Sequence, residues 1–227
     1  MKIAGVTGPG PLVHREDDVR MVGNSLHLEA VPLSGCLVRL EPYAEAIRTE
    51  LRVALDCDAE AWNLFAVSGQ GEHFDSWWTN IDREVRAGRW LAYAIRDLSN
   101  GKIVGTSSFL NIRPERQCVE IGGTFLHPTA RARYANAESK LLMLQHAFFS
   151  GARRVELLTD LRNARSQAAI AKLGAVREGV LRRDRITWTG HVRDSVLFAI
   201  TDLDWPGVQE GLKTRLATFG WEEPGRL

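Results

Sequence analysis

The chain has no long apolar stretch, few cysteines and almost no net charge, and each of these absences argues against a class of protein. No apolar run approaches the roughly 20 residues of a membrane span, so we expect no membrane partner. The net charge of +1 gives no reason to expect a nucleic-acid partner. Cys36, Cys57 and Cys118 are widely spaced, without a CxxC pair or a His/Cys cluster, so neither a metal site nor a disulfide framework is indicated.

The remaining composition is that of an ordinary globular protein. Of the 227 residues, 44% are hydrophobic and 25% are charged, which fits one domain with one sizeable core. Residues 1–25 include Gly8-Pro9-Gly10-Pro11 and a polar run, and they predict a flexible N-terminal extension before a single domain over 26–227. The N-terminus lacks the apolar core of a signal peptide, so a cytoplasmic location is the expectation.

The first half of the chain predicts one strand and two helices, followed by an antiparallel meander. Alternation predicts a strand over 37–40, and helical spacing of apolar residues predicts helices over 43–55 and 74–87. Three strands follow over 90–95, 102–110 and 118–126, and Asn100-Gly101 is typical of the tight turn between the first two.

The second half alternates helices and strands. A helix is predicted over 136–150, a strand over 155–158, and a helix over 164–173 with Asn163 as its N-cap. Strands over 176–187 and 192–200 and a helix from Asp204-Trp205-Pro206 complete the chain. The strand–helix–strand unit between 118 and 158 predicts a right-handed crossover between parallel strands. The fold class is therefore α/β, with an α+β type of mixed sheet flanked by helices.

This order, together with a series of short motifs over about 33–215, resembles the GNAT superfamily of N-acetyltransferases, and in particular its RimJ/RimL-like branch of ribosomal-protein N-terminal acetyltransferases. The matching runs are Leu37-Val38-Arg39-Leu40-Glu41-Pro42, Glu120-Ile121-Gly122, Asn136-Ala137-Glu138-Ser139-Lys140-Leu141-Leu142, Gln145-His146-Ala147-Phe148, Arg154-Val155-Glu156-Leu157, Asn163-Ala164-Arg165-Ser166, Leu173-Gly174-Ala175, Glu178-Gly179-Val180-Leu181-Arg182 and Asp204-Trp205-Pro206.

The resemblance implies that acetyl-CoA is the co-substrate, and no metal is expected. In this family two neighbouring strands part and admit the pantetheine arm, which here would lie along the strand 118–126. Gly122-Gly123 suits a close approach of the ligand, although a bulge or twist in an ordinary strand explains it equally well. The residues that the resemblance assigns to CoA are Thr124, Phe125, Leu126, Arg131, Ala132, Arg133, Tyr134, Ala135, Asn136, Lys140, Asn163 and Ser166.

The segment 131–136 departs from the family's phosphate-binding pattern Q/R-x-x-G-x-G/A. Arg131 keeps the first position, but Tyr134 and Asn136 replace the two glycines. Asn136 tolerates left-handed backbone and can also be a plain N-cap. Arg131 and Arg133 could supply the missing phosphate contacts, and Lys140 either helps them or is a solvated helix residue.

The resemblance also implies direct attack of an amine on the thioester, with no covalent enzyme intermediate. The residue that often donates a proton to the leaving thiolate is a tyrosine, and Ile170 stands at that position, so Ser166 takes this role directly or through water. Glu120 is the preferred catalytic base; its alternative is a structural pairing with an arginine, and His127 and Glu156 are weaker candidates.

The acceptor is least determined by the sequence. Trp62, Phe65, Trp77, Trp78 and Trp90 belong to the half that shapes the acceptor groove in this family, although core packing also explains such residues. The acceptor could be a peptide α-amine, a small amine or an antibiotic. Acetyl is the expected acyl group, and a succinyl-type donor is also compatible with the sequence. A homodimer is compatible with it as well. The rivals are a non-catalytic CoA-binding scaffold and a nucleic-acid binder using the cluster 182–185, which a solvated surface also explains.

Overall fold

The computed structural model describes residues 25–222, so residues 1–24 and 223–227 lie outside the described part. The predicted N-terminal extension therefore falls outside it, apart from its last residue. Within the described part, no helix is long and apolar enough to cross a membrane.

The described residues form one eight-stranded mixed sheet, in the order β1-β2-β3-β4-β5-β6-β8-β7. All neighbours are antiparallel except β5 and β6, which are parallel, as the predicted crossover requires. The strands are β1 Leu33–Ser34, β2 Val38–Pro42, β3 Leu91–Asp97, β4 Ile103–Arg113, β5 Cys118–Leu126, β6 Arg154–Asp160, β7 Val176–Ile186 and β8 Val192–Thr201.

Within residues 25–222, six α-helices cover the two faces of this sheet. They are α1 Arg48–Leu55, α2 Ala59–Trp62, α3 Phe74–Arg86, α4 Tyr134–Phe149, α5 Ala164–Ala171 and α6 Trp205–Ala217. On one face, apolar residues of α4, α5 and α6 pack in a single cluster with the strands. On the other face, α1, α2 and α3 form a second cluster that includes Phe125 of β5. Two layers of helices thus bury a mixed sheet, which confirms the predicted fold class.

The predicted elements are found with small shifts of their ends. β5 has the predicted bounds, and Asn163 caps α5 as expected, its side chain accepting a hydrogen bond from the backbone of Ser166 at 2.9 Å. The two-residue strand β1 and the four-residue helix α2 were not predicted, because neither is long enough to show a periodic pattern.

The start of α4 corrects the sequence prediction. The helix begins at Tyr134 with Arg133 as the N-cap residue, so Asn136 is its third residue and not a cap. Asn136 also does not use left-handed backbone; that conformation falls at Ala132 instead. The helix starts early because Tyr134 is buried and its hydroxyl donates to the Asp97 carboxylate at 2.9 Å, which fixes the first turn against the sheet.

Candidate active site

The two parallel strands at the middle of the sheet separate after three residue pairs. Cys118, Val119 and Glu120 of β5 pair with residues 154–156 of β6, and beyond Glu120 no further pairing joins the two strands. β5 nevertheless continues to Leu126 and β6 to Asp160. The result is a wedge-shaped cleft whose vertex lies at Glu120 and whose two walls present backbone N–H and C=O groups that no neighbouring strand uses.

A β-bulge shapes the β5 wall of the cleft. Thr106 pairs with Phe125 and Ser108 with Gly122, so Gly123 and Thr124 lie opposite the single residue Ser107. Gly123 has φ +59, in the left-handed region that glycine adopts without strain, and it is exposed. Gly122-Gly123 thus lies in a β-bulge, which was the structural alternative to a close approach of a ligand at this position.

Glu120 is a buried carboxylic acid at the vertex. Its side chain is 4% exposed, and Oε2 accepts a hydrogen bond from Asn111 Nδ2 at 2.7 Å. Burial raises the pKa of Glu120, while Arg185 and the Asn111 hydrogen bond act in the opposite direction. No arginine forms an ion pair with it in the described part of the chain, so the structural alternative of a direct Glu–Arg pair is wrong, and burial favours a stronger proton acceptor than an exposed carboxylate.

Two neighbours hold the Glu120 carboxyl group in place. Asn111 lies in a second bulge, in β4, with φ +48, a left-handed conformation that asparagine tolerates. A side chain at Gly122 would meet Glu120 Oε1 at 2.9 Å and Leu110 at 2.7 Å, so a larger residue there would displace the ends of these two side chains. The sequence analysis missed Asn111, because a bulge in a strand leaves no pattern in a single sequence.

Glu156, opposite Glu120 on β6, has a different environment. It is ion-paired with Arg113 and Arg154, and these partners hold its pKa below the usual value despite the opposing effect of burial. A carboxylate with a low pKa is a weak proton acceptor at neutral pH, so Glu156 is not a suitable base. His127, the other minor candidate, bonds through Nδ1 to Thr129.

The segment before α4 carries the predicted phosphate residues. Ala132 and Arg133 are exposed, and Arg133 leaves the first N–H groups of the helix without a side-chain cap, so Ala135 and Asn136 lie in an uncapped first turn. The Arg131 guanidinium is instead engaged by Asp58 and by the carbonyl of Leu126 at 2.8 Å, and it lies over the ring of Phe125. Tyr134 points inward, as described above.

Lys140 corrects the sequence analysis more strongly. Its side chain is 4% exposed, and Nζ donates to Ser107 Oγ at 2.9 Å and to Thr124 Oγ1 at 2.7 Å. It is therefore neither a solvated residue nor a phosphate ligand at the mouth of the cleft, because this face of α4 packs on the sheet. Burial lowers its pKa to about 7. Lys140 ties α4 to the bulge that faces the cleft.

Ser166 and Ile170 lie on α5, beyond the β6 wall. Ser166 is half-buried in the first turn, and the cap Asn163 accepts from its backbone N–H. Ile170 is 8% exposed and belongs to the apolar core. Its side chain cannot donate a proton to the leaving thiolate. The cleft thus brings together Glu120, the bulge and α4, with α5 adjacent to β6.

The hairpin between β7 and β8 contacts the helical first half of the chain through Trp188. Trp188, in the hairpin loop, donates from its backbone N–H to Ala66 and from Nε1 to the carbonyl of Trp62, both at 2.9 Å. Trp62, Trp77 and Trp78 are themselves buried in the second core cluster. Core packing thus accounts for those three, whereas the exposed edge of Trp188 connects the two halves of the chain across the sheet.

A parted parallel strand pair beside an uncapped helix start could accept an extended, anionic ligand, and comparison with known proteins gives the family. The acetyltransferase (GNAT) domain family matches residues 38–176, which is more than half of the chain. The chain therefore belongs to the GNAT acetyltransferase family, whose members are acyltransferases that use acetyl-CoA. No curated protein matches the chain significantly.

Solved structures agree with this assignment. A protein from T. thermophilus, described as an acetyltransferase, is 33% identical over 82% of this chain and 96% of its own, with a TM-score of 0.73. A GCN5-related N-acetyltransferase from Brucella melitensis is 25% identical over 89% of this chain and 93% of its own, with a TM-score of 0.79. Mycobacterium smegmatis RimJ, solved with CoA-disulfide, shares the fold at 23% identity, covering 84% and 94% of the two chains with a TM-score of 0.68.

Proposed function

We propose that the chain transfers an acetyl group from acetyl-CoA to a primary amine, either a peptide N-terminal α-amine or a small amine, by direct attack within a ternary complex. The observation that carries this proposal is the buried carboxylic acid of Glu120 at the vertex of the parted β5–β6 cleft. Family membership makes acetyl-CoA the first candidate donor.

Several residues would hold the CoA. The backbone of β5 between Thr124 and Leu126 would pair with the pantetheine amides as an added strand would. The uncapped first turn of α4 would receive the pyrophosphate, since free N–H groups and the positive end of the helix dipole favour an anion. Arg133 is exposed and near enough in sequence to contribute, whereas Arg131 would first have to leave Asp58.

Glu120 and Ser166 would move the protons. Glu120 takes a proton from the incoming ammonium group through water, so that the neutral amine attacks the thioester carbonyl. A backbone N–H of β5 at the bulge stabilises the oxyanion that develops. Ser166, directly or through water, supplies the proton that the departing CoA thiolate needs, because Ile170 offers none.

We further propose that the chain belongs to the RimJ/RimL-like branch, that residues 26–227 act as one domain, and that the protein works in the cytoplasm as a homodimer. The supporting observations are the run of motifs from Leu37 to Pro206 and the RimJ fold likeness. Size-exclusion chromatography with light scattering measures the assembly, and a monomeric mass would contradict the homodimer.

Calorimetry with acetyl-CoA, followed by a thiol-release assay over a panel of amines and peptides, tests the proposed function. Binding with thiol release on at least one amine is the expected result. Binding without release on any amine would instead favour a non-catalytic CoA-binding scaffold. Absence of binding would contradict both functions, and salt-sensitive binding to nucleic acid would favour the remaining rival.

A further inference from the structure

Arg193 of β8 is an almost fully buried arginine. Its side chain is 6% exposed, and the strand register places it opposite Arg185 of β7. Its Nε donates to Ser195 Oγ at 2.8 Å, and that hydroxyl donates to Asp184 at 2.6 Å. The Nε side of the guanidinium is therefore held in a fixed direction.

The rest of this guanidinium has no partner among residues 25–222. No described carboxylate lies within ion-pair distance of Arg193, and its two terminal NH₂ groups make no hydrogen bond to any described residue. They are not sealed in, because the one fully enclosed side-chain nitrogen or oxygen without a partner in the described part is Arg113 Nε. The terminal N–H donors of this buried cation thus keep slight exposure and no partner among the described residues.

Burying a cation without a carboxylate partner costs free energy, and the groups around Arg193 do not supply such a partner. Burial and the neighbouring Arg185 lower the pKa of Arg193, and Asp160, Asp184 and Glu120 only partly offset this from a distance. Asp160 is already bonded by Arg162 at 2.7 and 3.0 Å, Asp184 by Arg185 and Ser195, and Glu120 by Asn111. Each of these carboxylates has a partner, and Arg193 has no carboxylate partner among the described residues.

Arg193 also lies on the same face of the sheet as the base. Glu156 is opposite Glu120, Asp160 is four residues further along β6, and Asp160 is opposite Ser195, which is two residues from Arg193. Since side chains alternate along a strand, all of these point to one face.

We propose that Arg193 binds a carboxylate carried by one of the two substrates, so that the enzyme selects a carboxylate-bearing amine or a dicarboxylic acyl-CoA. The two terminal N–H groups match the two oxygens of a carboxylate, a geometry that gives strong and directional recognition. This inference rests on the proposed acyl transfer, and it names the chemistry of one substrate.

The test compares matched substrates by thiol release with the full chain. In one arm, acetyl-CoA is combined with amino acids and with their uncharged amides. In the other, acetyl-CoA and succinyl-CoA are compared with the same amine. We expect one arm to show a preference in kcat/KM of at least about tenfold for the carboxylate-bearing member. The arm that shows it identifies the substrate that carries the group, and wild-type enzyme without a preference in either arm overturns the proposal.

Substitutions of Arg193 test whether this residue causes the preference in kcat/KM for the carboxylate-bearing substrate. Arg193→Gln should reduce it to within about twofold, and Arg193→Lys, which keeps the charge but loses the paired donors, should reduce it partly. Arg177→Gln removes an exposed arginine of β7 and should leave it unchanged. An amino acid and its amide differ in the pKa of the amine. Because every variant is measured with the same substrate pair, this difference cancels when their preferences in kcat/KM are compared. A preference that survives both Arg193 variants contradicts the proposal.

Failure of acyl transfer itself is distinguished by a binding measurement. If acetyl-CoA and succinyl-CoA release no thiol with any amine, thermal unfolding is followed with succinate and with succinamide as probes. A rise in Tm with succinate alone, absent in Arg193→Gln but present in Arg177→Gln, supports the carboxylate site independently of catalysis. The same Tm with both probes overturns it.

Discussion

At the residue scale, the chemistry of the cleft depends on how Glu120 is buried. The carboxyl group keeps only one hydrogen bond, from Asn111, and lacks an ion pair in the described part of the chain. Glu156, directly opposite in the register, is paired twice with arginines. The same residue type at two adjacent positions thus has a raised pKa in one case and a lowered pKa in the other.

Replacing Glu120 with glutamine should lower kcat/KM by about 10²- to 10⁴-fold, because proton transfer by a positioned base contributes on that order. Acetyl-CoA affinity, measured by calorimetry, should change little. Since the pKa of Glu120 is raised, the base form is lost as pH falls through that raised value, so the wild-type acid limb should lie above that of an ordinary carboxylate.

Glu115→Gln, five residues earlier and exposed, is the matched control and should leave the pH profile unchanged. An unaltered kcat/KM in Glu120→Gln would remove Glu120 from the mechanism.

Ser166→Ala should slow thiol release with little loss of CoA affinity. The serine lies in the first turn of α5, and the helix cap depends on the Asn163 side chain and the Ser166 backbone, so the hydroxyl can be removed without losing the cap. Single-turnover thiol release and calorimetry measure the two effects separately. Turnover equal to that of the wild type would show that the thiolate takes its proton elsewhere.

At the scale of elements, α4 is attached to the sheet at two buried polar points. Glu138, fully buried, accepts hydrogen bonds from the backbone N–H groups of Cys36, Leu37 and Val38 at 2.8, 2.8 and 2.6 Å. Half a turn later, Lys140 reaches Ser107 of β4 and Thr124 of β5. The helix whose first turn faces the cleft is thereby fixed to β2 at one point and to the bulge at the other.

Glu138→Gln should destabilise the fold by about 3 kcal/mol, because the amide nitrogen would face backbone donors and a charged acceptor would be lost. Urea unfolding measures the free energy of unfolding. Glu210→Gln, an exposed substitution on α6, should be nearly neutral. A loss below about 0.5 kcal/mol, the size of an ordinary surface change, would contradict this role.

Lys140→Met should change how stability depends on pH. The pKa of Lys140 is about 7 in the folded chain against 10.5 for an ordinary lysine, so between these values the unfolded chain binds more protons. Wild-type stability should therefore rise by about 2 kcal/mol from pH 7 to pH 9 relative to the variant. Urea unfolding at both pH values measures this difference, and the exposed Lys102→Met should not reproduce it. If the free energy of unfolding depends on pH in the same way in the wild type and Lys140→Met, the Lys140 amine does not have a lowered pKa in the folded chain.

At the scale of the whole molecule, the cleft lies between parts of the chain that are distant in sequence. The Trp188 side chain and backbone join the β7–β8 hairpin to residues 62 and 66, and its ring lies 4.9 Å from that of His73. Trp188 thus connects the helical first half of the chain directly to the strands that carry Arg193 and Arg185.

Trp188→Ala should raise the KM for the acceptor amine by roughly tenfold while leaving acetyl-CoA affinity within about twofold, because Trp188 contacts the helical first half, which is expected to shape the acceptor groove, and not the pyrophosphate side. Steady-state kinetics with each substrate varied in turn measures both. Trp188→Phe keeps an aromatic ring but loses the Nε1 donor. Its KM for the acceptor amine should lie between the values of the wild type and Trp188→Ala. Equal losses for both substrates would indicate a general disturbance of the sheet.

The sequence by itself determined the order of elements, the fold class and the parallel crossover. These follow from local periodicity, turn residues and caps, such as the strand 118–126 and the Asn163 cap, which depend on neighbouring residues alone. The family resemblance pointed to Glu120 and Ser166 for the same reason, since both lie within short motifs.

Only the tertiary structure decided which polar residues are buried and what they face. Lys140 and Tyr134 lie near a helix start, where sequence alone favours solvent or phosphate, yet Ser107, Thr124 and Asp97 receive them from strands far along the chain. The unpaired guanidinium of Arg193 likewise depends on Asp160 and Asp184 being occupied by other arginines. Burial and pairing are set by long-range packing, which no local pattern records.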